Sequence, residues 1–326
     1  MPAFEKSIAF KIARGVGAYL NLEVGITRRP LAEVRGRLGG SGVGGAGKGV
    51  KPENIAWIFG TGRSGNTWLA SMMDETGHAV WKEPEIGRLF GAFYNKSRKS
   101  QRRNAKFVLG DPRRDVWLGS IRRFVLEGAS GRFPELSEDD YLVVKEQVGS
   151  VGAPLLMEAL PESRMIFLVR DPRDVVASWL DGASKSGWHQ ERVAKNAPKR
   201  SLQADETPTA YVKEQARHYL NQVGHAAEAY DAHKGPKVLV RYEELRTDTL
   251  AEMRRIHSAL GMAVDEGELS RAVHKHSWEN IPEEEKGEGK FYRKATPGGW
   301  REDLTPEQAR LVERITAPLV KELYPS

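Results

Sequence analysis

Apolar residues gather in short runs at 55–59, 141–144, 165–169 and 238–240, with a weaker run at 78–81. Each has the length and composition of a buried strand, not of a helix, which needs ten or more residues at a 3.6-residue period. Between the runs the period changes. Residues 67–73 follow a glycine-rich turn and read as a helix. Longer helical stretches are expected from Asp111-Pro112 to 126 and over 209–232. Strands alternating with helices predict an α/β fold of three layers, with a central parallel sheet flanked by helices.

Ahead of this pattern stands a different one. Phe4, Ile8, Ile12, Val16 and Tyr19 recur at helical spacing, with Lys6, Lys11 and Arg14 on other faces. Such an amphipathic helix can pack on the main domain or a second subunit, or lie on a membrane through residues 1–27. A glycine-rich stretch follows at 39–49. It holds Gly42, Gly47 and Lys48 at the spacing of a nucleotide loop, but Gly49 replaces the Ser or Thr and no apolar strand precedes it. It reads as a linker. The expected division is residues 1–50, an amphipathic helix and linker, and residues 51–326, the main domain.

Composition narrows the chemistry. The 326 residues carry a net charge of +6 and a pI of about 9.3, which favours an anionic ligand or surface. Cysteine is absent, so thiolate metal sites and cysteine nucleophiles are excluded. No apolar run approaches a membrane span, and the charged N-terminal residues argue against a signal peptide. A cytoplasmic protein is expected. Residues 96–106 hold six basic side chains in eleven, either a solvated face or a site for an anionic acceptor or lipid. No aromatics are interleaved there, so nucleic acid is not expected. His218 and His225, seven apart on a predicted helix, lack the patterned carboxylates of a metal site, and no metal is expected.

Gly60-Thr61-Gly62-Arg63-Ser64-Gly65-Asn66-Thr67-Trp68 joins the first strand to the first helix. A strand, a glycine turn and a helix N-terminus make an anion site from backbone N–H groups and the helix dipole. Gly60, Gly65 and Thr67 fit the nucleotide P-loop. Asn66 stands at the lysine position, and the cation has moved upstream to Arg63. The core Arg63-Ser64-Gly65-Asn66-Thr67-Trp68 resembles the 5′-phosphosulfate loop of the sulfotransferases that use 3′-phosphoadenosine 5′-phosphosulfate (PAPS). Two further segments share that resemblance. Arg170 and Ser178 have the spacing with which the family grips the 3′-phosphate, around an Asp171-Pro172 helix start. Arg293, Lys294, Gly298 and Trp300 match the family's C-terminal lid, with Ala295 in place of a glycine. Trp278, in His276-Ser277-Trp278, matches the segment that gives an aromatic ring to the adenine.

The resemblance implies a P-loop-type fold, PAPS as co-substrate and 3′,5′-ADP as product. Its nucleotide-binding residues here are Arg63, Ser64, Gly65, Asn66, Thr67, Trp68, Arg170, Ser178, Trp278, Arg293 and Lys294. Small-molecule members carry Lys-Thr-His after the strand matching 141–144; this chain has Lys145-Glu146-Gln147. Glutamine cannot take a proton at neutral pH. Members acting on sugars or tyrosyl groups often place a glutamate, frequently Glu-Pro, soon after the first helix. Glu83, before Pro84, matches best, with Glu85 in reserve and Glu146 as an outside candidate. The implied catalytic set is Glu83, Arg63 and Lys145, acting on a hydroxyl of a sugar, lipid or peptide. Tyr242-Glu243-Glu244-Leu245 after the fourth run reads as structural, and 186–206 as an acceptor-side loop. A nucleotide kinase, or a relative that binds anions without catalysis, is the alternative.

Overall fold

The computed structural model describes residues 49–99, 113–183, 207–287, 290, 292 and 294–324. The N-terminal pattern, most of the glycine-rich stretch, Asp111-Pro112, the loop 186–206 and Arg293 lie outside them. So does the greater part of the basic segment 96–106.

In chain order the elements are β1 (Ile55–Gly60), α1 (Asn66–Glu75), β2 (Ala79–Lys82), α2 (Ile86–Lys99), α3 (Arg114–Arg132), β3 (Leu142–Lys145), α4 (Ala153–Ala159), β4 (Arg164–Val169), α5 (Pro172–Gly182), α6 (Pro208–Ala232), β5 (Lys237–Arg241), α7 (Tyr242–Thr247), α8 (Thr249–Leu260), α9 (Glu266–Lys275), α10 (Trp300–Asp303) and α11 (Pro306–Leu323). The strands form one parallel sheet in the order β2-β3-β1-β4-β5.

Period-two alternation divides the core between the two faces of that sheet. Ile55, Trp57, Phe59, Met165, Phe167 and Val169 turn to one side, where residues of α3, α4 and α6 cover them. Ala56, Ile58, Ile166 and Leu168 turn to the other, against α1, α8 and α9. All six residues of β1 are buried, as a central strand covered on both faces must be. Trp57 and Phe59 lie one pleat apart on one face, their rings stacked with centroids 5.7 Å apart.

The expected helix ending at 126 runs on to Arg132, because Ile121, Val125 and Ala129 carry the buried stripe one turn further. The helix expected at 209–232 begins at Pro208, with the Thr207 side chain capping Ala210 N–H. On it His218 is exposed, while His225 is buried and bonded to Asn95 and the Asn221 carbonyl. The two histidines do not meet.

A different histidine pair closes the sheet's far end. His257 Nδ1 faces the Met253 carbonyl at 2.8 Å, so in the neutral ring Nε2 is the acceptor, and His78 Nε2 approaches it at 3.3 Å. Both rings are buried. Burial, then His257, pushes His78 down to about 4, and burial lowers His257 as well. A depressed histidine pKa means that the folded state resists the proton. The stability of the neutral pair is complete above the ordinary histidine value near 6.5 and fades as pH falls from there towards 4. For His78 the loss amounts to roughly 3 kcal/mol. His78→Leu should therefore flatten the fall in Tm between pH 6.5 and 4.5; wild-type and variant curves that stay parallel would remove this pair from the acid response.

Candidate active site

The loop after β1 is shaped by close approach. A Cβ on Gly60 would lie 2.3 Å from the Leu168 carbonyl. Gly65 has φ 94°, a left-handed conformation, and its Cβ would lie 2.7 Å from the Tyr242 ring. Arg63 also takes positive φ, 71°, at a cost of about 1–3 kcal/mol for a residue with a Cβ. The Asn66 side chain turns inward and donates to the Thr61 carbonyl at 2.9 Å, so it braces the loop from behind. No side chain caps α1, which leaves its first N–H groups for an anion. Ser64 Oγ is buried and lacks a hydrogen-bond partner among the described residues. An open helix start beside an orphaned hydroxyl fits a phosphate.

Opposite the loop, Arg170 ends β4. Its Nη1 donates to the Arg63 carbonyl at 3.0 Å, and its guanidinium lies 4.3 Å over the Tyr242 ring. Its Nε is buried without a partner among the described residues. Asp171 accepts from Arg173 N–H and starts α5 with Pro172, as expected. Two turns on, Ser178 Oγ accepts from Arg63 Nε at 2.9 Å. Arg63, Arg170 and Ser178 thus form one cluster.

The segment before α10 closes the same cavity. Asp174, fully buried on α5, accepts from Gly298 N–H at 2.7 Å and Trp300 N–H at 2.9 Å. Ala295 adopts φ 51°, the conformation its glycine counterpart would take freely. Lys294 faces the cavity and pairs with Glu302 and Asp303. Trp278 also lines the cavity, so it is not an ordinary core tryptophan. Trp68 lines it too, tied through its indole N–H to the His276 carbonyl at 2.7 Å.

At the carboxyl ends of β2 and β3 stand the remaining candidates, where ligands bind in open α/β sheets. Lys145 Nζ lies 2.8 Å from Glu83 Oε1 and 3.2 Å from Thr67 Oγ1. It therefore bridges the glutamate and the phosphate loop. Glu83 has φ 51°, and its N–H donates to the Lys145 carbonyl. Glu85 turns to solvent and pairs with Arg88. Glu146 is fully buried, with its carboxylate on the Ile86 and Gly87 N–H groups, and does not reach the cavity. Of the three glutamates, only Glu83 lines it, with Gln147 and Val148 nearby.

The cavity measures about 600 Å³. Among the described residues, Arg63, Lys82, Lys145, Arg170, Arg246 and Lys294 line it against the carboxylate of Glu83. That balance calls for a ligand with several negative charges. Tyr242 was legible only as a structural residue, yet its ring lies beneath both Gly65 and Arg170. Its place directly after β5 was the available signal. Asp174 and Arg246, which donates to the Ala295 carbonyl at 3.2 Å, carried no signal at all.

A parallel sheet with a phosphate loop after its central strand, a second basic cluster across the cavity and a lysine–glutamate pair between them defines a P-loop-like transferase. The sulfotransferase domain family matches residues 53–324, and the chain belongs to that family. It is an enzyme of the PAPS-dependent sulfotransferase class. Solved structures of the same fold include mouse sulfotransferase SULT7A1 complexed with PAP, at 16% identity and TM-score 0.52, covering 84% of this chain and 87% of that one. Sulfotransferase STF9 from Mycobacterium avium aligns at 15% identity and TM-score 0.52, over 84% and 77% of the two chains. Retinol dehydratase in complex with retinol and PAP aligns at 17% and 0.50, over 84% and 83%. No curated protein matches the sequence. Among the described residues no helix is long and apolar enough to cross a membrane.

Proposed function

We propose that the protein transfers the sulfuryl group of PAPS to a hydroxyl of a sugar, lipid or peptide, with Glu83 as base. The observation that carries this reading is the Lys145–Glu83 pair, 2.8 Å apart and joined to the phosphate loop through Thr67. The acceptor oxygen attacks sulfur in line and its proton passes to Glu83. The bond from sulfur to the bridging oxygen breaks, and that oxygen keeps the electron pair as 3′,5′-ADP leaves. Lys145 neutralises the charge that grows there. Ser64, Gly65, Asn66, Thr67 and Trp68 hold the 5′-phosphate, the loop chiefly through backbone N–H groups. Arg170, Ser178, Arg293 and Lys294 take the 3′-phosphate, and Trp278 packs on the adenine. Arg63 stands on Ser178, which supports a share in the 3′-phosphate site; its catalytic part requires a turn towards Lys145.

The glutamate in place of a histidine favours a sugar, lipid or peptide hydroxyl over a small-molecule phenol. Residues 51–326 form the catalytic unit, and residues 1–27 serve packing or contact with a lipid surface in a cytoplasmic setting. Incubating the protein with radiolabelled PAPS and cell extract, then identifying the labelled product by mass spectrometry, tests the reading. A labelled sugar, lipid or peptide formed equally well in the presence of a Mg²⁺ chelator is the expected result. Label only on small phenols, or transfer that stops on chelation, would sink it.

A further inference from the structure

Glu146 has no place in the transfer chemistry, yet it is among the most confined charged groups in the molecule. It follows Lys145 directly, and its own backbone is tied on both sides. Its N–H donates to the Ile58 carbonyl at 3.0 Å, and its carbonyl accepts from Ser150 Oγ at 3.1 Å. Ser150 Oγ in turn accepts from Gly60 N–H at 2.9 Å, at the start of the phosphate loop. The Glu146 side chain points the other way. Oε1 accepts from Ile86 N–H at 2.7 Å and from Gly87 N–H at 3.3 Å, the first donors of α2. Oε2 is buried with no hydrogen-bond partner among the described residues.

These two N–H groups end a turn under strain. Glu83 and Glu85 both hold positive φ, 51° and 58°, on either side of Pro84. Non-glycine residues keep such angles only where their surroundings over-determine them. Three groups of Lys145 and Glu146 do so here. The Lys145 carbonyl takes Glu83 N–H at 2.9 Å, Lys145 Nζ takes Glu83 Oε1, and the Glu146 carboxylate takes the α2 end of the turn. The packing around Glu146 leaves no slack. A Cβ on Gly149 would lie 1.9 Å from Glu146 Oε2, and one on Gly87 would lie 2.1 Å from the Gly149 carbonyl.

We propose that Glu146 is a positioning residue, whose buried carboxylate holds the start of α2 and thereby keeps the strained turn 83–85 in the form that sets Glu83 on Lys145. The role rests on the reading of Glu83 as base. A carboxylate at a helix N-terminus is favoured by the dipole and by charge-assisted N–H bonds. Against it stand burial and the like charges of Glu83 and Glu85. The turn 148–152 and β1 bring no ionisable side chain to it, and Arg88 of α2 is turned to Glu85. Burial first, and these two carboxylates after it, push Glu146 up to about 7, while Gly87 and Ile86 N–H pull it down. The tether therefore changes charge in the neutral range.

Three measurements on the full chain test this. The amide proton resonances of Ile86 and Gly87 should titrate near neutrality in the wild type and cease to do so in Glu146→Gln. Glu146→Ala should lower turnover of radiolabelled PAPS with cell extract by about 10²-fold, the order expected when a catalytic group is displaced by an ångström. The KM for PAPS and the affinity for 3′,5′-ADP should stay unchanged, which a general loss of structure would not permit. Glu146→Gln, which keeps an acceptor oxygen, should recover most of the turnover. Wild-type turnover in Glu146→Ala, or Ile86 and Gly87 amides indifferent to Glu146, overturns the proposal. If Glu146→Ala does not fold, the amide titration and Glu146→Gln still decide. An active Glu83→Gln speaks against the base and is read independently of these amides.

Discussion

Glu83→Gln should lower turnover by about 10²–10⁴-fold, the usual contribution of a general base, while 3′,5′-ADP binds as before. Glutamine keeps the shape of the side chain and can still accept from Lys145, so the fold of the turn is preserved. What it loses is the basicity of the carboxylate, and with it the capacity to take the acceptor's proton. Neither of the other two glutamates is placed to replace it. Glu85 is drawn to Arg88 at the surface, Glu146 is sealed behind α2, and Gln147 cannot take a proton at neutral pH. The measurement is a radiolabel transfer assay at saturating PAPS, with calorimetry of 3′,5′-ADP as the control for folding. Turnover within a few-fold of wild type would end the assignment of Glu83.

Arg170→Ala should abolish the preference for 3′,5′-ADP over 5′-AMP. Arginine's fork suits a phosphate, and Arg170 lines the cavity with Ser178 and Arg63, its Nε buried without a partner among the described residues. Losing one desolvated, hydrogen-bonded charge pair costs about 2–5 kcal/mol, and each 1.4 kcal/mol is tenfold in affinity. Affinity for 3′,5′-ADP should fall by roughly 30- to 4,000-fold on this scale, and that for 5′-AMP should change little. Calorimetry with both nucleotides separates the cases. Equal losses would mean that Arg170 supports the loop through the Arg63 carbonyl and does not read the 3′-phosphate.

The parts of this molecule that were legible in the sequence are those fixed over short spans. The five strands, the loop at 60–68 and the α5 start at Asp171-Pro172 depend on neighbours within a few residues. The choice among three glutamates did not. The Glu-Pro pattern puts Glu83 ahead of Glu85 and Glu146, but where each carboxylate points depends on the turn at Pro84 and the packing of Gly87 on Gly149. Asn66 is expected at the 5′-phosphate; its side chain braces the Thr61 carbonyl, which leaves its backbone N–H for that role, a distinction that lies in one rotamer. Tyr242 reads only as structural and Asp174 escaped notice, because their partners, Gly65, Arg170, Gly298 and Trp300, are brought to them by the tertiary fold. At Ala295, which stands where the family has a glycine, the backbone keeps the left-handed conformation despite the Cβ.

The strand order has a consequence for how the chain becomes this structure. Among the described strands, β1 pairs only with β3 and β4, and β2 only with β3. While the polypeptide is being synthesised from its N-terminus, the most apolar strand emerges first and has no ladder partner until residue 142 is made. Sheets built from such distant pairings fold slowly, and unpaired apolar strands aggregate in the interval. Refolding yield should therefore fall steeply with protein concentration. A nascent chain halted before β3 should be a client for chaperones, and one extended through β5 should release them.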